Sequence, residues 1–279
     1  MNLLKIRKEA NRLAVKNASK IVPIYVFIEL ILFSLILVSN QMISILLSLF
    51  VATLTHAYVV ISLKAVDNEQ ISVKKDAIVG FTGYTRLFPS YFMRKLIVNI
   101  VSIILVLPTI SLIQRQSGFM MGDVINWIQM IVVSGIEDLS SFSSIYEYFV
   151  SPLVVFSFIV ASVCSSIISY GLALMPYLVE KQDISWTEAI VKSWRMMDGH
   201  KKELFTLRIS YIPQMLLIYW TVQLVSSLFS FNLFLSTFLA VVLSLYLPIM
   251  LYQPHLEMAN ALFYKELIDQ EENPDLFAL

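Results

Sequence analysis

Six apolar runs, at residues 21–39, 42–63, 96–113, 152–179, 205–231 and 232–254, constrain this chain more than any other feature. Each is close to the roughly 20 residues an α-helix needs to cross the hydrocarbon core of a bilayer. Lipid offers the backbone no hydrogen-bond partner, so runs of this kind satisfy their own amides and carbonyls as helices. Of 279 residues, 58% are hydrophobic and 14% charged. Soluble domains run at about 45–50% and about 25%, so the composition excludes a soluble enzyme. The shortest run, 96–113, covers about 27 Å and needs Tyr91 and Phe92 to complete a crossing.

Basic residues of short loops set orientation, because Lys and Arg resist translocation. Lys5, Arg7, Lys8, Arg12, Lys16 and Lys20 precede the first run. Lys64, Lys74, Lys75, Arg86, Arg94 and Lys95 lie between the second and third, and Lys181, Lys192, Arg195, Lys201, Lys202 and Arg208 between the fourth and fifth. These segments read as cytoplasmic. The loop 114–151 carries only Arg115 against Asp123, Glu137, Asp138 and Glu147 and reads as external, as do the tight turns 39–41 and 230–232. Both termini are then cytoplasmic, the C-terminal one as an acidic tail. The run 21–39 is too long for the apolar part of a signal peptide and reads as an anchored first helix.

A stretch with helical periodicity precedes each pair of runs. In the first, Leu3, Ile6, Ala10 and Leu13 share one side and Lys5, Lys8, Arg12 and Lys16 the other, the layout of a helix lying in the headgroup plane. In the third, Trp186, Ile190, Trp194 and Met197 form a stripe opposite Glu188, Lys192 and Arg195. There Ser185 with Glu188 makes a capping box and Gly199 is a C-cap candidate. The second, AVDNEQISVKKDAIVGF from Ala65, matches LVEKQDISWTEAIVKSW from Leu178 with one gap after the shared Ile-Ser. The expected fold is therefore all-α. It is a polytopic membrane protein of six transmembrane helices in three hairpins, each preceded by a cytoplasmic amphipathic interfacial helix. The chain reads as one integral membrane domain, 1–279, with successive units 1–63, 64–180 (including the external loop) and 181–279.

Within the runs, Glu29, His56 and Gln223 are the intramembrane polar candidates. Ionisable groups at that depth are costly unless paired or protonated. Glu29 and His56 lie at similar depth across the first hairpin, so a proton relay or cation site would use them, and so would simple interhelical hydrogen bonds. Ser162, Ser165, Ser166 and Ser169 read as interhelical bonds. Gly118 and Gly122 form a GxxxG in the external loop. Pro23, Pro108, Pro176, Pro213, Pro248 and Pro254 mark kinks or ends. Gly199, His200, Lys201 and Lys202 offer backbone donors, an imidazole and two ammonium groups at headgroup level, where a lipid phosphate would bind. HExxH, GxSxG, Walker A and CxxC are missing from the sequence. His56, His200 and His255 are too scattered for a metal site. The expectation is no catalytic residue, no metal and no cofactor. Cys164 is the single cysteine, which excludes an intrachain disulfide. Lys plus Arg and Asp plus Glu each number 20, so no basic field exists to hold nucleic acid.

MPYLVEKQDISWTEAIVKSWRMMDGHKKELFTLRISYI from Met175 and YQPHLEMANALFYKEL from Tyr252 resemble a family of bacterial six-helix membrane proteins known as domain of unknown function 975. The MPY, MMDGHK and FYKEL pieces carry the likeness. His255 stands where that family has a tyrosine after the proline, and the fifth run lacks its usual glycines. The resemblance implies a bacterial plasma-membrane protein with no assigned activity. The expected role is non-enzymatic, either lipid-associated or as scaffold of a cell-envelope complex, with anionic membrane lipids and an envelope or transporter protein as partners. The alternative is a transport component or small-solute permease using Glu29 and His56.

Overall fold

The computed structural model describes residues 2–38, 51–117 and 152–272, and these contain helices and no strand. In chain order the helices are α1 (Leu3–Lys16), α2 (Ala18–Val38), α3 (His56–Val66), α4 (Val73–Asp76), α5 (Val79–Thr82), α6 (Tyr84–Ser117) and α7 (Pro152–Gly171). They continue with α8 (Met175–Gln182), α9 (Trp186–Met196), α10 (Lys201–Ile209), α11 (Ile212–Leu228), α12 (Leu233–Leu251) and α13 (Gln253–Glu272). Two compact units result. One comprises Met1–Met93 with Tyr170–Leu279, the other Arg94–Ser169.

Four described segments are long and apolar enough to cross a membrane: Ala18–Leu35, Tyr84–Leu105, Ile159–Gln182 and Leu233–Glu272. Large apolar side chains on the long helices, among them Ile104, Phe156, Leu217, Trp220, Leu224 and Phe234, are exposed, far more than a water-facing surface carries. The fifth expected run is divided. Ser210 and Tyr211 end α10, and Pro213 begins α11, which at 17 residues falls just short of a full crossing. Of the second run only the part from residue 51 is described, as the shorter apolar helix Val51–Val66. The turn 39–41, the loop from 118 to 151 with its GxxxG, and the tail beyond 272 lie outside the described residues.

The first periodic stretch is α1. The Asn2 side chain caps it by accepting from the Lys5 amide (3.1 Å), and Asn17 donates to the Leu13 carbonyl at its end (3.0 Å). Ile6, Ala10, Leu13 and Ala14 are buried, against α13, α2 and α10. The apolar face expected to enter lipid is thus covered by protein. Periodicity specifies an apolar stripe and leaves open what covers it.

The third stretch is α9, with the capping box in place: the Glu188 amide donates to Ser185 Oγ (3.3 Å) and the Ser185 amide to the Glu188 carboxylate (3.1 Å). Gly199 follows it in the left-handed region, φ +79°. Of the expected stripe, Met197 is fully buried and Trp186 and Ile190 pack partly buried on the core, beside the buried Ala189, Ser193 and Met196, whereas Trp194 is exposed. The Trp194 ring packs on the bare backbone of Gly171, whose carbonyl accepts from Ser193 Oγ (2.8 Å).

The second stretch breaks into the single turns α4 and α5. Its likeness to the third survives in one bond, since the Ser72 amide donates to the Asp76 carboxylate (2.8 Å) as the Ser185 amide does to Glu188. Asp76 is buried and also receives Lys64 Nζ (2.7 Å). The two part company at Ala77 and Ile78, and Gly80, matched to Lys192 in the repeat, sits in the turn that follows. This glycine lies directly against the backbone of Thr53 and Leu54.

The core of the larger unit is built from α3, α8 and α13, which lie at the ends of the second, fourth and sixth apolar runs. Nearly all of α3 is buried, with Met175–Val179 of α8 and Met258, Ala259, Ala261 and Phe263 of α13. Tyr25 stacks on Tyr58 with ring centroids 3.9 Å apart, and Tyr177 on Tyr264 at 5.4 Å. Where lipid is the alternative environment, apolar contact discriminates little between partners, so polar ties carry more of the specificity.

Candidate functional site

Two polar clusters cross the core of the larger unit. Glu29, one turn beyond Tyr25 on α2, accepts from the Tyr58 hydroxyl of α3 (3.1 Å) and from Gln253 Nε2 at the start of α13 (3.2 Å). His56, two residues before Tyr58 and so on another side of the helix, is fully buried. Its Nδ1 meets the Tyr91 hydroxyl (2.9 Å) and its Nε2 a Glu180 carboxylate oxygen (3.0 Å). A carboxylate only accepts, so Nε2 carries the proton, and the tyrosine donates to Nδ1 when the ring is neutral. Arg86 donates to the same Glu180 oxygen (2.8 Å) and to Asp183 (2.9 Å). Tyr177 donates to Glu257 (3.1 Å).

Glu29 and His56 therefore engage separate partners, and no hydrogen bond joins them. Tyr58 and Gln253 hold one; Tyr91 and Glu180 hold the other. Sequence reasoning missed Tyr58, Tyr91, Arg86, Glu180 and Gln253. Glu180 carries charge directly after the fourth apolar run, which is the available signal, but its meeting with Arg86 across 94 residues of chain has none.

A third cluster closes the ends of α3, α8 and α13 around a cavity of about 290 Å³ lined by Asp67, Lys181, Tyr264 and Lys265. Lys265 Nζ lies 2.8 Å from Asp67, and Lys181 pairs with the other carboxylate oxygen. Burial pushes the Asp67 carboxyl up, and the hydrogen bonds from Lys181 and Lys265 outweigh it, leaving the group below the ordinary aspartate range. Asp67 is thus ionised at neutral pH and pins two helices.

Of the headgroup candidates, Gly199 has open space where a side chain would be. His200 Nδ1 meets Glu203 (2.6 Å), Lys201 Nζ stands 4.2 Å from the Trp194 ring centroid, and Lys202 is exposed. Two of the four thus already have protein partners. Gln223 is exposed on α11. In the smaller unit Ser165 and Ser102 share a hydrogen bond of 2.7 Å between α7 and α6. Among the described residues no group of His, Cys, Asp and Glu is arranged to hold a metal ion. His255, the departure noted after Pro254, meets Asn11 of α1 (3.0 Å).

A family described as "Protein of unknown function (DUF975)" matches residues 1–271. No curated protein and no solved structure matches the chain.

Proposed function

Because the chain belongs to the DUF975 family of proteins of unknown function, we propose a role from its own side chains: a non-enzymatic, multi-pass membrane protein that associates with lipid or scaffolds a cell-envelope complex. In this reading it crosses a bacterial plasma membrane six times, in three hairpins, with both termini cytoplasmic. The four membrane-length segments and the shorter apolar helix Val51–Val66 support part of that count, and the proposal takes the 17-residue α11 as the remaining crossing. The basic segments set the orientation.

One observation carries the reading. The two intramembrane ionisable candidates and the neighbouring Glu257 are held by other side chains, Glu29 by Tyr58 and Gln253, His56 by Tyr91 and Glu180, and Glu257 by Tyr177. Such an arrangement ties helices together, and a transport pathway would instead need groups that exchange partners with a solute. Membrane lipids and an envelope protein are the partners in this reading.

Proton flux into liposomes containing the full chain tests this against the permease alternative. The expected rate equals that of empty liposomes, for wild type and Glu29→Gln alike. A flux above that level which Glu29→Gln abolishes would establish the permease and end the scaffold reading.

A further inference from the structure

The cations that face the core have carboxylates: Lys64 has Asp76, Arg86 has Glu180 and Asp183, Lys181 and Lys265 share Asp67, and Lys192 has Glu271. Arg208 is different. Its Nε is buried without a hydrogen-bond partner, its guanidinium lies 5.2 Å from the Tyr170 ring centroid, and no carboxylate among the described residues is at ion-pair distance, the Glu257 carboxylate being a charged neighbour of the same Tyr177 and Tyr252 that Arg208 faces. Three residues on, Tyr211 is 0% exposed and its hydroxyl has no hydrogen-bond partner either. Three further, the buried Gln214 Oε1 repeats the pattern. A second guanidinium, Arg7 of α1, sits 5.3 Å from the Tyr211 ring centroid and also has no acidic partner among the described residues.

These positions share one side of the chain. The Tyr211 amide donates to the Arg208 carbonyl (3.0 Å) and the Gln214 amide to the Tyr211 carbonyl (3.1 Å), so helical turns carry the backbone through the junction of α10 and α11. A buried polar atom without a partner costs about 1–3 kcal/mol, and three in succession along one stripe are a cost that a bound polar group would relieve. The order along the stripe is charge, hydroxyl, amide, over about 9 Å of rise. That is of the order of the polar layer between lipid phosphate and hydrocarbon. Beside it Ile212, Met215 and Leu216 are exposed, an apolar continuation on the same helix.

We infer that Arg208, Tyr211 and Gln214, flanked by Arg7, bind the phosphate headgroup of a membrane phospholipid. Both guanidiniums face the phosphate, the Tyr211 hydroxyl donates to a phosphate or ester oxygen, and the Gln214 amide meets the glycerol region. The acyl chains run along α11. The site rests on the lipid-associated reading proposed above and differs from the Gly199–Lys202 segment, which lies nearer the chain's exposed turn.

The test uses the full chain in detergent, with phosphatidylglycerol, phosphatidylcholine or inorganic phosphate added and binding read by native mass spectrometry and thermal shift. Tyr211→Phe keeps the ring beside Arg7 and removes only a hydroxyl that no protein group uses, so the lipid-free protein should unfold at the wild-type temperature or above it. Phosphatidylglycerol affinity should fall about tenfold in Tyr211→Phe and further in Arg208→Gln, with partial recovery in Arg208→Lys. Wild-type affinity in Tyr211→Phe and Arg208→Gln would overturn the site while leaving lipid association standing. Failure of the wild type to retain either lipid would remove the reading beneath it. Equal binding of inorganic phosphate, lost in the same variants, would assign the site to a free phosphate and overturn the lipid assignment.

Discussion

Replacing Gly80 with alanine should destabilise the protein by about 1–3 kcal/mol, and with valine by more. A β-carbon there would stand 2.6 Å from the Leu54 α-carbon and closer still to the Thr53 carbonyl oxygen. Both are backbone atoms of a buried segment, so no rotamer change relieves the clash. Either α5 separates from the chain entering α3 or the core shifts. Gly83 is the internal control, because its added β-carbon would meet the Leu87 side chain at 3.2 Å and the Val79 carbonyl at 3.1 Å. Unfolding of the full chain in detergent, followed by size-exclusion chromatography after heating, reads the difference. A Gly80→Ala protein that unfolds with wild type would mean that the close approach of α5 to Thr53 and Leu54 does not contribute to stability.

His56→Leu should cost about 1–3 kcal/mol, the penalty for leaving the hydrogen-bond partners of a buried ring unpaired, with the Glu180 side chain 23% exposed. Leucine fills much of the space, so the loss comes from polar atoms. Glu180 is left with Arg86, and Tyr91 loses its ring partner at 2.9 Å. The change should act through Glu180 specifically. In a double-mutant cycle with Glu180→Gln, the coupling energy should be about 1–3 kcal/mol, read from the same thermal curves. Additive effects would show that His56 contributes only as a packed ring.

Local features of this architecture were legible in the sequence and distant ones were not. The capping box at Ser185 and Glu188 and the left-handed Gly199 follow from residues within one or two turns. The α1 stripe of Ile6, Ala10 and Leu13 was equally legible as a stripe. Its cover was not, because α13 comes from the other end of the chain and its own periodicity is weak: Met258, Ala259, Asn260 and Ala261 are all buried in succession. The likeness between the second and third stretches predicts two similar helices. Ala77 and Ile78 divide the second into two turns, and Gly80 within the later turn meets backbone rather than solvent, while the Ser72–Asp76 bond persists.

The polar site divides in the same way. Glu29 and His56 stand out as ionisable residues in apolar runs, a signal that composition alone delivers. Their partners depend on how helices rotate about their axes, which the apolar pattern does not specify when a helix is apolar all round, as α2, α3 and α12 nearly are. A two-residue offset on α3 sends His56 toward Glu180 and Tyr58 toward Glu29, so the pair suggested by depth becomes two separate ties. The headgroup candidates were chosen by charge in the same way. Lys201 stands over Trp194 and His200 beside Glu203, whereas Arg208 and Tyr211, seven and ten residues beyond Lys201, hold the buried unpartnered atoms.

Native mass spectrometry of the full chain released from its own membrane in lipid nanodiscs tests the central claim most directly. A lipid-associated or scaffolding protein should emerge with a phosphate-bearing lipid retained through mild activation, or with an envelope protein in fixed stoichiometry. A bare chain under conditions that preserve lipid on control membrane proteins, with neither lipid nor partner attached, would contradict it.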